Sequence, residues 1–226
     1  MLVDYDNIQE EDKRKGLIYI ASIVKEKLAH AIQDDDALKE IQLRLYGGWY
    51  DKMAVTRRAQ DLSIEIGRNF PFVFDGKFKV HIELARSLAK VPKTVLYHTF
   101  RTQRPLENIK CKNPETNCTS GDCPLWAMYD FISNRRCPVE ECTKTPEEVF
   151  YKDEQKLVDV MLAIDLMHFA TTERKTICLV TSDDDFIPAI HATISEGIKV
   201  IHLQTKNRCT SKLETSQKSK YLSIPQ

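Results

Sequence analysis

The sequence has no excess of charge of either sign. Its 33 lysines and arginines balance 33 aspartates and glutamates, so no overall field draws the chain to a polyanion or to an anionic membrane. Long apolar runs are also missing, because no stretch approaches the roughly 20 apolar residues of a membrane-spanning helix. The first residues show no basic segment followed by an apolar run and a cleavage site. We therefore expect a cytoplasmic protein without a membrane partner, whose contacts with nucleic acid depend on local patches.

Glycine is scarce, with seven residues in the chain. These glycines form no loop of the kind that holds phosphates in nucleotide-binding proteins, and no serine or cysteine stands in a nucleophile motif. The signatures of ATPases and of serine or cysteine hydrolases are therefore excluded. Any chemistry must come from other side chains.

Predicted strands and helices alternate along most of the chain. Strands are predicted at residues 1–3, 41–46, 71–84, 93–101, 176–180 and 198–203. Helices are predicted at residues 15–32, 52–66, 153–170 and 187–196. This alternation is typical of an α/β fold with right-handed crossovers and a mainly parallel sheet that helices cover on both faces.

A change of composition predicts an insertion in this fold. Between residues 102 and 146 proline, asparagine, cysteine, threonine and glycine accumulate, with one short helix predicted at 126–132. We therefore expect one domain over residues 1–204 that this segment interrupts. A polar tail, residues 205–226, follows it.

Acidic side chains follow two of the predicted strands. Asp4 and Asn7 follow the first strand, and Asp183 and Asp185 follow the strand TICLV. Ligands of open α/β sheets bind beyond the carboxyl ends of the strands. Carboxylates brought together there raise one another's pKa unless a hard cation neutralises them. The pattern predicts a Mg²⁺ or Mn²⁺ site, although acidic residues before a helix are also typical of an N-cap.

A further carboxylate interrupts the longest apolar helix. Asp159 lies within LVDVML, where a buried carboxylate needs a partner or a metal. Asp165 lies about 120° further around the helix, given 3.6 residues per turn, so the two cannot point equally at one spot. We rank Asp159 above Asp165 as a ligand.

Three segments in this order resemble the three motifs of NYN domains, which belong to the PIN-like nuclease superfamily and resemble FLAP nucleases. The segments are VDYDN at 3–7, QKLVDVMLAIDL at 155–166 and LVTSDDDFIPAI at 179–190. The resemblance covers residues 1–101 and 150–204. In the third motif Thr181 and Ser182 stand where the family has serine and glycine, and the bulkier Ser182 is expected to tighten the approach of the turn to metal or substrate.

This resemblance implies a three-layer α/β/α sandwich and a Mg²⁺- or Mn²⁺-dependent endoribonuclease. The residues that match the motifs divide into expected metal ligands and expected supporting residues. The ligands are Asp4, Asp159, Asp183 and Asp185, and the supporting residues are Asn7, Asp165, Thr181 and Ser182. Two other functions fit the same residues: a catalytically silent module that binds RNA or protein, and a nuclease that acts on DNA.

Five of the seven cysteines crowd into the predicted insertion. They are Cys111, Cys118, Cys123, Cys137 and Cys142. Four thiolates around a Zn²⁺ ion would hold together a segment too polar to fold by apolar burial. The sequence predicts structural zinc bound by four of the five, while unpaired thiols or a redox disulfide remain the alternatives.

Four residues are candidate contacts for nucleic acid. Trp49 follows two glycines at a predicted strand end, where an exposed ring would stack a base. Arg57, Arg58 and Arg101 belong to the basic side chains that accumulate in the first half of the chain. The opposing interpretation is a packed tryptophan and arginines on solvated faces.

Overall fold

The computed structural model describes residues 1–29, 39–103, 109–114, 123–172, 176–205 and 221–224. The chain forms two compact units. The first contains Met1–Phe100 and Gln155–Gln226, and the second is Arg101–Glu154. The second unit thus interrupts the first, as the change of composition indicates, but it extends to Glu154 rather than to residue 146.

In chain order the strands are β1 (Leu2–Asp4), β2 (Lys39–Tyr46), β3 (Tyr50–Asp51), β4 (Ala54–Val55), β5 (Phe72–Phe74), β6 (Phe78–Leu84), β7 (Phe100–Gln103), β8 (Lys152–Gln155), β9 (Thr176–Val180), β10 (Lys199–Leu203) and β11 (Tyr221–Ile224). The helices are α1 (Glu10–Arg14), α2 (Leu17–Ala29), α3 (Arg57–Asn69), α4 (Pro124–Ser133), α5 (Pro146–Val149), α6 (Val158–Ala170) and α7 (Ile187–Ser195), and one 3₁₀ turn spans Asp184–Phe186. No helix of the described ranges is long and apolar enough to cross a membrane.

The main sheet of the first unit has the strand order β11-β10-β9-β1-β2-β6-β5. Its neighbouring strands are parallel except for β5 and β6. β1 therefore lies between β9 and β2, and the chain leaves it towards β2. This is the kind of position where the strand order reverses and where ligands bind in open parallel sheets.

Two groups of buried side chains pack on this sheet, and successive residues of a strand alternate between them. Val3 belongs to the group that contains side chains of α2 and α3. Leu2 belongs to the group that contains side chains of α6 and α7. Apolar positions of β9 divide in the same way, with Val180 in the first group and Leu179 in the second. The ends of β1 and β9 are therefore held from both faces.

The structure differs from the sequence prediction at several elements. The helix predicted from residue 153 begins at Val158, after strand β8, and the strand predicted at 71–84 is the antiparallel pair of β5 and β6. The helix predicted from residue 52 begins at Arg57, because β3 and β4 form an antiparallel hairpin before it. Only an isolated antiparallel bridge from Val95 to Ser87 is found in residues 93–99. Tyr221–Ile224, expected in a polar tail, pairs with β10 as a parallel edge strand.

The second unit is built from short elements. Pro146 occupies the first turn of α5, and the Glu148 side chain accepts a hydrogen bond from the Thr145 amide at 3.0 Å. At the base of the unit, Thr102 donates to Asp153 at 2.6 Å and Arg101 pairs with Glu154. Helix α5 and both of these contacts include residues after 146. The unit is therefore longer than the predicted insertion.

Candidate active site

Asp4, the last residue of β1, is a buried carboxylate with neutral partners. Its side chain is 2% exposed. Thr181 Oγ1 donates to Asp4 Oδ2 at 2.9 Å, and the amide and side chain of Asn7 also donate to this carboxylate. Burial raises the pKa of Asp4, the hydrogen bonds from Asn7 and Thr181 lower it, and the charge of Asp159 raises it, so that the net shift is upward.

The turn after β9 brings further acids to Asp4. Thr181, which is fully buried, accepts a hydrogen bond from the Asp183 amide at 3.2 Å while it donates to Asp4. Asp183 Oδ1 accepts from the Asp185 amide at 3.1 Å and so caps the 3₁₀ turn. The N-cap interpretation of Asp183 is therefore correct. Its negative charge also acts on Asp159 and raises the pKa of that carboxyl.

Asp159 joins this group from the first turn of α6. Partial burial of its carboxyl raises its pKa, and the negative charges of Asp183, Asp185 and Asp6 raise it further. A carboxylate at a helix N-terminus is favoured by the helix dipole. The structure thus brings Asp4, Asp159, Asp183 and Asp185 into one repelling cluster.

Asp6 is a fifth member that the sequence prediction omits from the ligands. One carboxylate oxygen pairs with Arg58, and the other accepts a hydrogen bond from the Gly48 amide at 3.2 Å. A Cβ at Gly47 would lie 2.7 Å from the ring of Trp49 and 3.0 Å from Asp6 Oδ2, so only glycine fits beside them. The pair of glycines after β2 is the sequence signal of this close approach.

Ser182 is accommodated in a buried network behind the acidic residues. Its hydroxyl accepts a hydrogen bond from the Thr205 amide at 2.7 Å and contacts Thr205 Oγ1 at 3.0 Å. Thr205 Oγ1 in turn donates to the carbonyl of Asn7 at 2.9 Å. The side chain that replaces glycine therefore ties together the segments that follow β1, β9 and β10.

Asp165 does not join the acidic cluster. It is fully buried and accepts hydrogen bonds from the Tyr46 hydroxyl at 2.7 Å, from Arg44 Nε at 3.1 Å and from the Ala89 amide at 2.8 Å. Burial and the charge of Asp165 raise the pKa of Tyr46 well above its usual value, so that its hydroxyl remains a donor. Asp165 is therefore an anchor of α6 on β2 rather than a supporting residue at the acidic cluster.

The four candidate nucleic-acid contacts lie in different environments. Trp49 is fully buried and donates from Nε1 to the Leu45 carbonyl at 3.2 Å, so the prediction that it stacks a base is wrong. The two glycines before it mark tight packing rather than an exposed loop. Arg57 lies on a solvated helix face, and Arg101 belongs to the second unit. Only Arg58 pairs with an acid of the cluster.

Four of the five cysteines in the predicted zinc set lie in the described part of the second unit. Cys111, Cys137 and Cys142 are free thiols, Cys123 precedes helix α4, and Cys118 lies outside the described residues. Cys137 and Cys142 line one cavity of about 420 Å³. Within the described ranges no three histidine, cysteine or acidic side chains are arranged to hold a metal ion as they stand. The four-cysteine zinc site therefore stays a prediction.

The donor set of the acidic cluster nevertheless fits a hard divalent cation. Asp4 is a buried carboxylate whose described partners are neutral donors, and Asp159 is destabilised by neighbouring negative charge. Carboxylate oxygens are the ligands that Mg²⁺ and Mn²⁺ prefer, and Mg²⁺ usually keeps several waters when one or two carboxylates bind it.

Comparison with known proteins gives one match. Residues 117–224 match the family model of the NYN domain. The matched range includes Asp159, Asp183 and Asp185, whereas Asp4 precedes it. Searches of the curated proteins and of the solved structures give no match.

Proposed function

We propose that this chain, whose residues 117–224 match the family model of the NYN domain, is a Mg²⁺- or Mn²⁺-dependent endoribonuclease. The proposal combines the nuclease activity that is general in the family with the acidic cluster at the ends of β1 and β9. Helices that pack on both faces of the main sheet support a three-layer α/β/α arrangement of the PIN-like kind.

One observation carries the proposal most directly. The hydroxyl of Thr181 donates to Asp4 and accepts from the amide of Asp183, and so joins two motifs that are 177 positions apart in the chain. A single neutral side chain thereby holds two carboxylate-bearing segments together despite their repulsion. An arrangement that only capped a helix would not require the buried Asp4.

The residues have distinct proposed roles. Asp4, Asp159, Asp183 and Asp185 would hold the ion directly or through water, and a bound divalent ion acidifies its water and offsets the charge that develops on a scissile phosphate. Asn7 and Thr181 orient Asp4 by donating to its oxygens. Ser182 keeps the turn after β9 in place through Thr205.

The experiment is cleavage of labelled single-stranded RNA by the full chain with Mn²⁺ or with EDTA. We expect cleavage only with Mn²⁺, and a loss of at least about 100-fold in rate for Asp183→Asn, since a metal ligand is removed. Asp184→Asn is the matched control, because this neighbouring acid is not among the proposed ligands. Absence of Mn²⁺-dependent cleavage, or full activity of Asp183→Asn, contradicts the proposal.

Competition distinguishes RNA from DNA as the substrate. The family match favours RNA, whereas a cluster of carboxylates around a metal recognises the phosphate that both polymers share. We expect unlabelled single-stranded RNA to inhibit cleavage of the labelled RNA more strongly than DNA of the same sequence. Stronger inhibition by the DNA, together with its own cleavage, favours the DNA-directed alternative.

A structural zinc ion in the second unit is a separate proposal. Its support is the cavity that Cys137 and Cys142 share and the presence of Cys111 and Cys123 in the same unit. Metal analysis of the purified protein should give about one zinc per chain, and Cys142→Ser should lower it. The buried Cys178→Ser serves as the control because it belongs to the first unit. A wild-type protein without zinc contradicts this proposal.

A further inference from the structure

Two adjacent arginines of α3 have different electrostatic surroundings. The Arg57 side chain is 88% exposed and pairs at 3.2 Å with Asp61, one turn further along the same helix. The Arg58 side chain is 51% exposed and pairs with Asp6, whose side chain is only 11% exposed. Arg57 therefore belongs to a solvated helix face, while Arg58 is attached to the acidic cluster.

Asp6 is held firmly enough to position a partner. Its second carboxylate oxygen accepts a hydrogen bond from the Gly48 amide at 3.2 Å, and Gly47 leaves no room for a side chain beside it. The Gly48 amide thus holds one oxygen of Asp6 in place, and the other oxygen pairs with Arg58. This makes Asp6 a poor candidate for a metal ligand and a good holder for the Arg58 guanidinium.

Lys13, a second cation near Asp6, is less accessible to an incoming anion than Arg58. The Lys13 side chain is 9% exposed, and its ammonium donates to the Asp6 carbonyl at 3.2 Å and to Glu10 at 2.7 Å. A guanidinium has five N–H donors, and half of the Arg58 side chain remains open to solvent. Arg58 is therefore the better placed of the two to accept an incoming anion.

We propose that Arg58 is a substrate-positioning residue that binds a phosphate of single-stranded RNA beside the acidic cluster, with Asp6 holding its guanidinium in place. The identity of the polymer rests on the proposed function. A polyanion that approaches several carboxylates is repelled, and a fixed guanidinium at their edge offsets this repulsion and offers two parallel donors to phosphate oxygens. Arg57, one residue away, has no such place and contributes no specific contact.

The test uses two variants that change net charge equally. Arg58→Gln and Arg57→Gln each remove one positive charge from the first turn of α3. Binding of a fluorescent single-stranded RNA is measured by anisotropy at several salt concentrations in a Ca²⁺ buffer, and a gel verifies that the RNA stays intact. We expect Arg58→Gln to weaken binding by about 5- to 10-fold, as for a lost charge-assisted contact. Its salt dependence should be shallower by about 0.7, the single-strand value for one phosphate.

Arg57→Gln should bind RNA within about 2-fold of the wild type, with the same salt dependence. Arg58→Lys, which keeps the charge, should restore the salt dependence and part of the affinity. With Mn²⁺, Arg58→Gln should raise KM while kcat changes by less than about 2-fold, as expected for uniform binding. Equal RNA binding by the two glutamine variants, or no RNA binding by the wild type, overturns the proposal.

Failure of the proposed function has a different signature. If the wild type cleaves no RNA but Arg58→Gln alone weakens RNA binding, the nuclease assignment is wrong and the role of Arg58 stands. If the wild type cleaves RNA and both glutamine variants bind it equally, the nuclease assignment stands and the role of Arg58 is wrong. Thermal unfolding of each variant verifies that it is folded.

Discussion

Thr181 Oγ1 lies 2.9 Å from Asp4 Oδ2 and donates a hydrogen bond to it. Both residues are buried, and each directly follows or ends one of two neighbouring parallel strands. The bond therefore links the carboxyl ends of β1 and β9 at the point where the acidic cluster begins. It supplies Asp4 with a neutral donor, so it does not offset the negative charge of the cluster.

Removal of this hydroxyl should weaken both the fold and the metal site. Thr181→Val keeps the shape of the side chain but removes one of the donors to Asp4 and leaves the Asp183 amide without its acceptor, which should cost about 1–3 kcal/mol of unfolding free energy. The apparent affinity for Mn²⁺ in RNA cleavage should fall as Asp4 loses its orientation. Urea unfolding and Mn²⁺ titration measure the two effects. Thr181→Ser keeps the hydroxyl, and a deficit as large as that of valine would show that the bond is not the cause.

Neutralising one acid of the cluster should stabilise the metal-free protein. The pKa of Asp159 is raised by burial and by the charges of Asp183, Asp185 and Asp6, so Asp159→Asn relieves repulsion. In EDTA its melting temperature should be equal to or higher than that of the wild type. Mn²⁺ at 100 times its dissociation constant should stabilise the wild type by about 2.7 kcal/mol and the variant much less. Equal stabilisation of both proteins by Mn²⁺ would remove Asp159 from the ligands.

Asp165→Asn should destabilise the protein, because this substitution breaks a buried ion pair and does not relieve charge repulsion as Asp159→Asn does. Asp165 is fully buried against Arg44 and Tyr46, and breaking a buried ion pair from one side costs about 3–5 kcal/mol. Glu83→Gln is the control, because Glu83 pairs with the same Arg44 but its side chain is 45% exposed, which predicts a loss below about 1 kcal/mol. Denaturant unfolding compares them, and similar losses would contradict the anchoring role.

His202 should make stability depend on pH below neutrality. Burial lowers its pKa, although the Thr181 carbonyl, which accepts from Nε2 at 3.0 Å, and the charge of Asp184 act in the opposite direction. The unfolded chain then binds a proton near its ordinary pKa of about 6.5 while the folded chain does not. Stability is therefore full above about pH 6.5 and is lost as the pH falls towards the folded-state pKa. Urea unfolding between pH 5 and 8 should show a flatter profile for His202→Gln, and identical profiles would contradict this origin.

Elements with a strong local pattern could be predicted from the sequence. Strand β9 has the predicted bounds, because a short, mainly apolar run with three β-branched residues lies between charged residues in the sequence. The resemblance to NYN domains was confirmed for residues 117–224, which contain two of the three motifs, while the first motif and the rest of residues 1–101 lie outside the match. Strand β11 was not predicted, because four residues in a polar tail carry too short a pattern.

Contacts between distant residues were beyond local patterns. Arg44 and Asp165 are 121 positions apart, and nothing in either segment shows that a motif aspartate turns towards β2 instead of the metal site. The glycines before Trp49 in the sequence suggest an exposed loop. In the structure the Trp49 ring is buried and lies so close to Gly47 that a Cβ at that position would clash with it. Likewise, Arg58 rather than Arg57 lies beside the acidic cluster because it pairs with Asp6, which is in the turn after β1.

The account is tested most directly by the rate of single-stranded RNA cleavage as a function of Mn²⁺ concentration for the wild type, Asp4→Asn and Asp61→Asn. Asp61 is an exposed acid on α3 and serves as the control. Cleavage by the wild type and by Asp61→Asn should rise with Mn²⁺ and saturate, and Asp4→Asn should be slower by at least about 100-fold. Cleavage that does not depend on Mn²⁺, or an Asp4→Asn protein as active as the wild type, would contradict a metal-dependent nuclease site at the ends of β1 and β9.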